Sequence, residues 1–253
     1  MDRSPLFQVP VRRSLAESAE ASADQFRGPE PDNAPGPLLE SLRRALAGLG
    51  AASKDVLAAA GPGGPSGLAR ALAVYGAEAP AGLALPLALG AKYADPGLTV
   101  IVVVGREEAE SSFGALADAG RANADIVVIV LDEGGSQPER RAVDLADLGR
   151  AAGATFTGRL LSSDAEGASE VLLCALQHRG FSFVEVLSPR PGGSGPDDGD
   201  VKAQAPRLGV LHEDGQALSW EESDPVYLRR GPAMAETLGL SPKEIAALEA
   251  SLG

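Results

Sequence analysis

The 253-residue chain carries few of the side chains that usually do chemistry: one cysteine, Cys174, and two histidines, His178 and His212. One cysteine cannot close an intrachain disulfide, form a Cys-x-x-Cys redox pair or hold a cysteine-ligated iron–sulfur cluster. It lies in the apolar run VLLC, where a buried core residue is expected rather than a nucleophile or ligand. His178 ends a helical stretch and His212 sits in a short turn or strand, so both are expected as surface or capping residues. The glycines of Gly61 to Gly67 (GPGGPSG) lack the Gly-Lys-Ser/Thr ending of a P-loop and read as a structural turn. Asp197-Asp198-Gly199-Asp200 lacks the rest of a calcium-loop spacing and reads as a solvated loop. Ser111-Ser112 and Ser162-Ser163 have no matched His and Asp. Trp220 with Glu221 and Glu222 reads as a packing anchor, and Arg229-Arg230 as a surface pair.

The elements that must position any site are clearest in the middle of the chain. Leu98 to Val104 (LTVIVVV) and Ala124 to Leu131 (ADIVVIVL) are continuous β-branched runs, the pattern of strands buried on both faces. Residues 107–121 between them read as one helix. Strand, helix, strand makes a βαβ unit, which requires a parallel sheet and a right-handed crossover. Before it, PLLESLRRALAGLG has apolar residues at helical spacing, LARALAVYGA reads as a second short helix, and GLALPLALGAKYADPG as a third. After it come a helix in RRAVDLADLGRAAGA, a strand in ATFTGRLL, a helix in SDAEGASEVLLCALQHRG and a strand in GFSFVEVLSP. LGVLHED reads as a short strand or turn. Ser241 and Glu244 stand at capping-box spacing before a last helix. The fold class is α/β, a doubly wound, mostly parallel sheet. Residues 1–36 are expected as an extended or disordered arm, 37–191 as the α/β domain, and 192–253 as a loop and C-terminal extension packing on it.

Composition narrows the function classes. Lys and Arg number 22 against 35 Asp and Glu, a net charge of −13. That balance speaks against nucleic acid, whose binders neutralise phosphates, and against an anionic membrane surface. No stretch approaches the roughly 20 apolar residues that span a bilayer, and the first residues lack a signal-peptide core, so a cytoplasmic protein is expected. Hydrophobic residues are 44% of the chain but aromatics only 4%, so alanine, leucine and valine must fill the core.

The order of segments from Pro37 to Pro191 resembles the thiamine-diphosphate-binding β subunit of the 2-oxoacid:ferredoxin oxidoreductases. The stretches that carry the likeness are LLESLRRALAGLG with KDVLAAAGPGGPSG, GLALPLALGAKYADPGLTVIVVVG, RANADIVVIVLDE, VDLADLGRAAGATF and HRGFSFVEVLSPRPG. The resemblance implies a thiamine-diphosphate-binding type of fold and a cofactor held through Mg²⁺. In the family a Gly-Asp-Gly motif follows the central strand, and an Asn-bearing turn ends the next. Here those positions read Gly105-Arg106-Glu107-Glu108 and Leu131-Asp132-Glu133. Arg106 stands where the metal-binding aspartate should be and cannot ligate a hard cation. Asp132 could replace the asparagine. Glu107, Glu108 and Glu110 would complement the dipole of their own helix and repel a diphosphate.

Two further departures follow the same comparison. The cluster-bearing members use cysteines in three turns, which here read Pro29 to Gly36, Gly64-Pro65-Ser66-Gly67 and Ser188-Pro189-Arg190-Pro191, all without cysteine. No iron–sulfur cluster is expected. The family's His-Gly-Arg-Ala segment reads Ala79-Pro80-Ala81-Gly82-Leu83-Ala84. With no catalytic or metal-ligating residue in place, the resemblance implies a non-catalytic β-like subunit that pairs with an α-type or catalytic oxidoreductase subunit, or with itself. Two alternatives stand beside it. One is an active thiamine-diphosphate- and Mg²⁺-dependent 2-oxoacid oxidoreductase subunit with unusual ligands. The other is a small-molecule binder reusing the pocket at the strand ends, lined by Arg106, Glu107, Asp132 and Glu133.

Overall fold

The computed structural model describes residues 23–29, 36–65, 67–132, 143–188 and 208–214. The first long element is helix α1 (Gly36–Leu49). Strand β1 (Val56–Ala60) follows, then the single-turn helix α2 (Leu68–Ala71), strand β2 (Tyr75–Glu78) and helix α3 (Ala84–Ala94). The central unit is β3 (Thr99–Gly105), α4 (Arg106–Ser111), α5 (Phe113–Arg121) and β4 (Ile126–Asp132). Beyond it come α6 (Leu145–Ala151), β5 (Phe156–Leu161), α7 (Ala165–Gln177), β6 (Ser182–Leu187) and β7 (Gly209–Glu213).

The seven strands form one sheet in the order β2-β1-β3-β4-β6-β5-β7. All neighbours are parallel except β7, which runs antiparallel to β5 along the edge. Alternate residues of the β-branched strands feed two cores, because successive strand side chains point to opposite faces. Ile101, Val103, Val127 and Ile129 pack with α1, α2 and α7 on one face. Val100, Val102, Val104, Val128 and Val130 pack with α3, α5 and α6 on the other. The expected doubly wound α/β fold is therefore the observed one. The chain moves outward from β1 to β2, then returns to place β3 on the other side of β1. The carboxyl ends of β1 and β3 are thus the topological switch point, the usual ligand crevice of such sheets. Among the described residues no helix is long and apolar enough to cross a membrane.

The structure refines several readings. The helix expected over 107–121 is two helices that break at Ser112, which adopts φ −96° and ψ 21°. Ser111 donates its hydroxyl to the Glu108 carbonyl, the kind of local bond that competes with the helical ladder. LARALAVYGA yields only the one turn of α2 before the chain extends into β2. A Cβ on Gly76 would lie 1.8 Å from the Ala69 Cβ, so the close approach of α2 to β2 needs glycine there. Cys174 is only partly buried and packs against the edge of the first core. His178 is buried rather than at the surface; it caps the end of α7, and its Nε2 lies 2.8 Å from the Thr155 hydroxyl. Burial holds its pKa below the ordinary histidine value. The last helix read at Ser241, together with Trp220, Arg229-Arg230 and the 197–200 run, lies outside the described residues.

Within the stretch read as an arm, residues 23–29 pack on the domain. Phe26 is fully buried in the first core. Arg43, itself buried, donates to the Phe26 carbonyl at 3.1 Å and to the Ala71 carbonyl at 3.0 Å. The Gly28 amide adds a bond to the Ala71 carbonyl at 2.9 Å. Replacing a buried phenylalanine with alanine costs about 3–5 kcal/mol. Phe26→Ala should therefore lower the denaturant midpoint by that equivalent in chemical unfolding, whereas a loosely attached arm would leave the midpoint unchanged.

Candidate functional site

The site is built where β3 and β4 end side by side. Their register pairs Gly105 with Leu131, so the next residue of each strand, Arg106 and Asp132, must meet. Arg106 opens α4, and its guanidinium forks onto Asp132, with Nε to Oδ1 at 3.0 Å and Nη2 to Oδ2 at 2.7 Å. Nη1 donates to Glu110 Oε1 at 3.0 Å and to the Val143 carbonyl at 2.9 Å. Nη2 also lies 3.8 Å from Glu185 Oε1. The two side chains of the pair are only 17% and 13% exposed. A bidentate, charge-assisted pair of this kind is among the stronger polar contacts available. Its hydrogen bond to Asp132 raises the Arg106 pKa further above its already high value.

The pair continues into the sheet. Glu185 of β6 and Arg159 of β5 are register neighbours, and Arg159 Nε meets Glu185 Oε2 at 2.6 Å. Both are buried, Glu185 to 2% exposure. Burial pushes the Glu185 carboxyl up, against the opposing pull of Arg159. Arg159 Nη2 then reaches Asp144 Oδ1 at 2.8 Å. Asp144 is the N-cap of α6, accepting from the Ala146 and Asp147 amides at 2.9 and 3.2 Å. Burial raises its pKa, but Arg159 and the two amides outweigh that, so the net shift is downward. Charge alternates along the whole path: Asp132, Arg106, Glu185, Arg159, Asp144.

The loops at the switch point are closed as well. The Gly105 amide donates to the Pro62 carbonyl at 2.8 Å. A Cβ on Gly63 would sit 2.6 Å from the Gly105 Cα, and Gly63 holds φ +74°, so only glycine permits this contact of backbone on backbone. Glu108, nearly buried, turns away from its own helix to accept from the Gly82 amide at 2.6 Å, just before α3. Glu78 accepts from the Gly67 amide at 2.6 Å before α2. Asp164 accepts from Gly167 at 3.0 Å at the start of α7. Amides just before α2 and α3, and in the first turns of α6 and α7, thus bond carboxylates of this same chain.

Of the residues singled out from sequence, the structure brings Gly105, Arg106 and Asp132 together. It separates the glutamates. Glu110 joins the guanidinium, Glu108 serves the segment before α3 instead of its own helix, and Glu107 stays exposed on the first turn of α4. Glu133 lies outside the described residues. The sequence reading missed Glu185, Arg159 and Asp144. The usable signal was a lone charge in each of two buried strands, FTGRLL and SFVEVL, since burying one charge demands an opposite partner.

A mostly parallel sheet with its polar groups gathered at the carboxyl ends is the plan of doubly wound α/β folds. Residues 66–186 match the family described as thiamine pyrophosphate enzyme, C-terminal TPP binding domain. A 38-residue stretch is 55% identical to the 2-oxoglutarate oxidoreductase subunit KorB of Mycobacterium tuberculosis (strain ATCC 25618 / H37Rv), covering 15% of this chain and 10% of that protein. The match therefore spans about a tenth of that relative's length. The solved 2-oxoglutarate:ferredoxin oxidoreductase from Magnetococcus marinus, with 2-oxoglutarate, coenzyme A and succinyl-CoA bound, aligns with a TM-score of 0.69 at 19% identity. The alignment covers 92% of this chain and 97% of that one, a likeness of fold. The chain is thus similar to the thiamine-diphosphate-binding β subunits of the 2-oxoacid:ferredoxin oxidoreductases, over part of its sequence and in its fold.

Asp144 joins two jobs, capping α6 and holding Arg159, so Asp144→Ala should cost about 1 kcal/mol at pH 7, the usual worth of an N-cap. A carboxyl with a depressed folded-state pKa contributes above its unfolded pKa, about 4, and loses that contribution as pH falls through the folded value. The gap between wild type and Asp144→Ala in urea unfolding should be full at pH 7 and close on acidification below about pH 4. A gap that stays constant down to the acid limit would show that the charge of Asp144 contributes nothing.

Proposed function

We propose that this chain is a non-catalytic, β-like subunit of a 2-oxoacid:ferredoxin oxidoreductase-type assembly, with a structural or regulatory role. The observation that carries the reading is the fork of Arg106 on Asp132. In the family comparison these two positions supply metal-ligand oxygens to the Mg²⁺ that holds the cofactor diphosphate. Here one is a cation, and both oxygens of the other accept hydrogen bonds from it. The residues present therefore do not fit a metal diphosphate. The Gly82 amide before α3, which could otherwise turn toward an anion, donates to Glu108.

Other features support the same reading. A catalytic centre of this kind needs groups that move protons or electrons at the strand ends. The histidine of the family's His-Gly-Arg-Ala segment is replaced by the apolar stretch around Ala79 and Pro80, and Gly82 within it is tied to Glu108. His178 is engaged with Thr155 at the opposite, amino-terminal end of β5. Cys174 lies on α7, against the first core. The core itself keeps full packing on both faces of the sheet. Intact strands with a self-paired site suit a chain retained for its shape and surfaces. The natural partner in this reading is an α-type or catalytic oxidoreductase subunit, or a second copy of the chain.

Isothermal titration of the full chain with thiamine diphosphate and Mg²⁺ tests the loss of cofactor. No binding heat is expected with ligand up to about 1 mM, where a dissociation constant in that range corresponds to only about −4 kcal/mol. Binding in the micromolar range would overturn the reading in favour of an active subunit with unusual ligands. Purification from native cells should in parallel recover the chain bound to an oxidoreductase subunit or to itself. A lone monomer there would remove the proposed role.

A further inference from the structure

Among the described residues, the hydrogen-bond and ion-pair partners of the Arg106 guanidinium are all oxygens. Asp132 gives two, Glu110 and Val143 one each at 2.9–3.0 Å, and Glu185 one more at 3.8 Å. Carboxylates with a backbone carbonyl are the donor set that hard divalent cations select. Without Arg106, the carboxylates of Asp132, Glu110, Glu185 and Asp144 would face, among the described residues of this group, the guanidinium of Arg159. The side chains of Asp132 and Glu185 are only 13% and 3% exposed, so water screens that imbalance weakly.

We propose that Arg106 is a tethered cation filling an oxygen cage that would otherwise take a divalent metal ion, so that the junction of β3, β4, β6 and the Val143 segment closes without any ion. The inference deepens the non-catalytic reading and rests on it. A metal ion can leave, whereas a guanidinium attached to the chain stays at a high effective concentration whatever the medium holds. The fork geometry of Arg106 distributes its charge over three donor nitrogens, which a lysine could not do.

The test uses the full chain, with Mn²⁺ alone as the probe, read by electron paramagnetic resonance and by thermal melting. Arg106→Asp adds a carboxylate where the cation was. It should bind one Mn²⁺ per chain with a dissociation constant of about 0.1–1 mM, and its Tm should rise by about 3 °C or more in 5 mM Mn²⁺ over EDTA. Wild type should bind no Mn²⁺ in that range and melt identically in both. Arg106→Gln should melt about 5 °C or more below wild type, and the double variant Arg106→Gln with Asp132→Asn should regain at least half of that loss. This second pair decides the matter if Arg106→Asp does not fold. The inference fails if folded Arg106→Asp gains no Mn²⁺ over wild type, if Arg106→Gln melts with wild type, or if the double variant regains nothing. Thiamine diphosphate is never added, so these failures would leave the non-catalytic reading intact. Cofactor binding by wild type would sink that reading whatever Mn²⁺ does.

Discussion

A charged side chain that gives up its water must recover the lost hydration from fixed partners, or the fold pays several kcal/mol. Arg106 meets this demand almost completely, because the β3–β4 register delivers Asp132 to it and the turn after α4 begins delivers Glu110. The chain of charges along the carboxyl edge continues from that pairing. Glu185 can be buried because Arg159 stands in the same register row. Arg159 in turn fixes Asp144, and Asp144 starts α6. Breaking the first link would take the guanidinium partner from a buried carboxylate, which is more costly than the pair is stabilising.

The same edge shows how a ligand crevice can be closed from within. In an open α/β sheet the loops after the strands on either side of the switch point stand apart around a ligand. Here the Gly61–Pro65 turn and Gly105 touch backbone to backbone. Glu78 and Glu108 take the amides that lead into α2 and α3. These contacts use the chain's acidity locally. The surplus of carboxylates over basic groups is spread in part over helix starts, where amides and dipoles favour it.

Much of the architecture was legible in the residues alone. The runs around Val102 and Val128 are apolar on both faces, and only a strand covered on both sides by helices explains them. β1 and β2 were harder to see, because alanines and glycine carry little β preference; β1 is placed by pairing with β3, and β2 by pairing with β1 and packing on α2. Phe26 was invisible for another reason. It is one apolar residue in a polar, proline-rich stretch, and only the pocket made with Arg43 and Ala71 gives it a place. At the site, Arg106 was legible as a cation where the family comparison puts an acid. Its partners were not, since Glu185, Arg159 and Asp144 are distant in sequence and meet only through sheet register. Likewise Glu108 looked like a helix-dipole residue until the fold placed the Gly82 amide against it.

The central claim is that Arg106 is permanently engaged by Asp132 and yields its place to no metal diphosphate. Nuclear magnetic resonance of the arginine Nε–H group, assigned through Arg106→Lys, reads this directly. A resolved, slowly exchanging Arg106 signal that is unchanged by Mg²⁺ and thiamine diphosphate is the expected result. A signal that shifts, broadens or exchanges rapidly when they are added would contradict it.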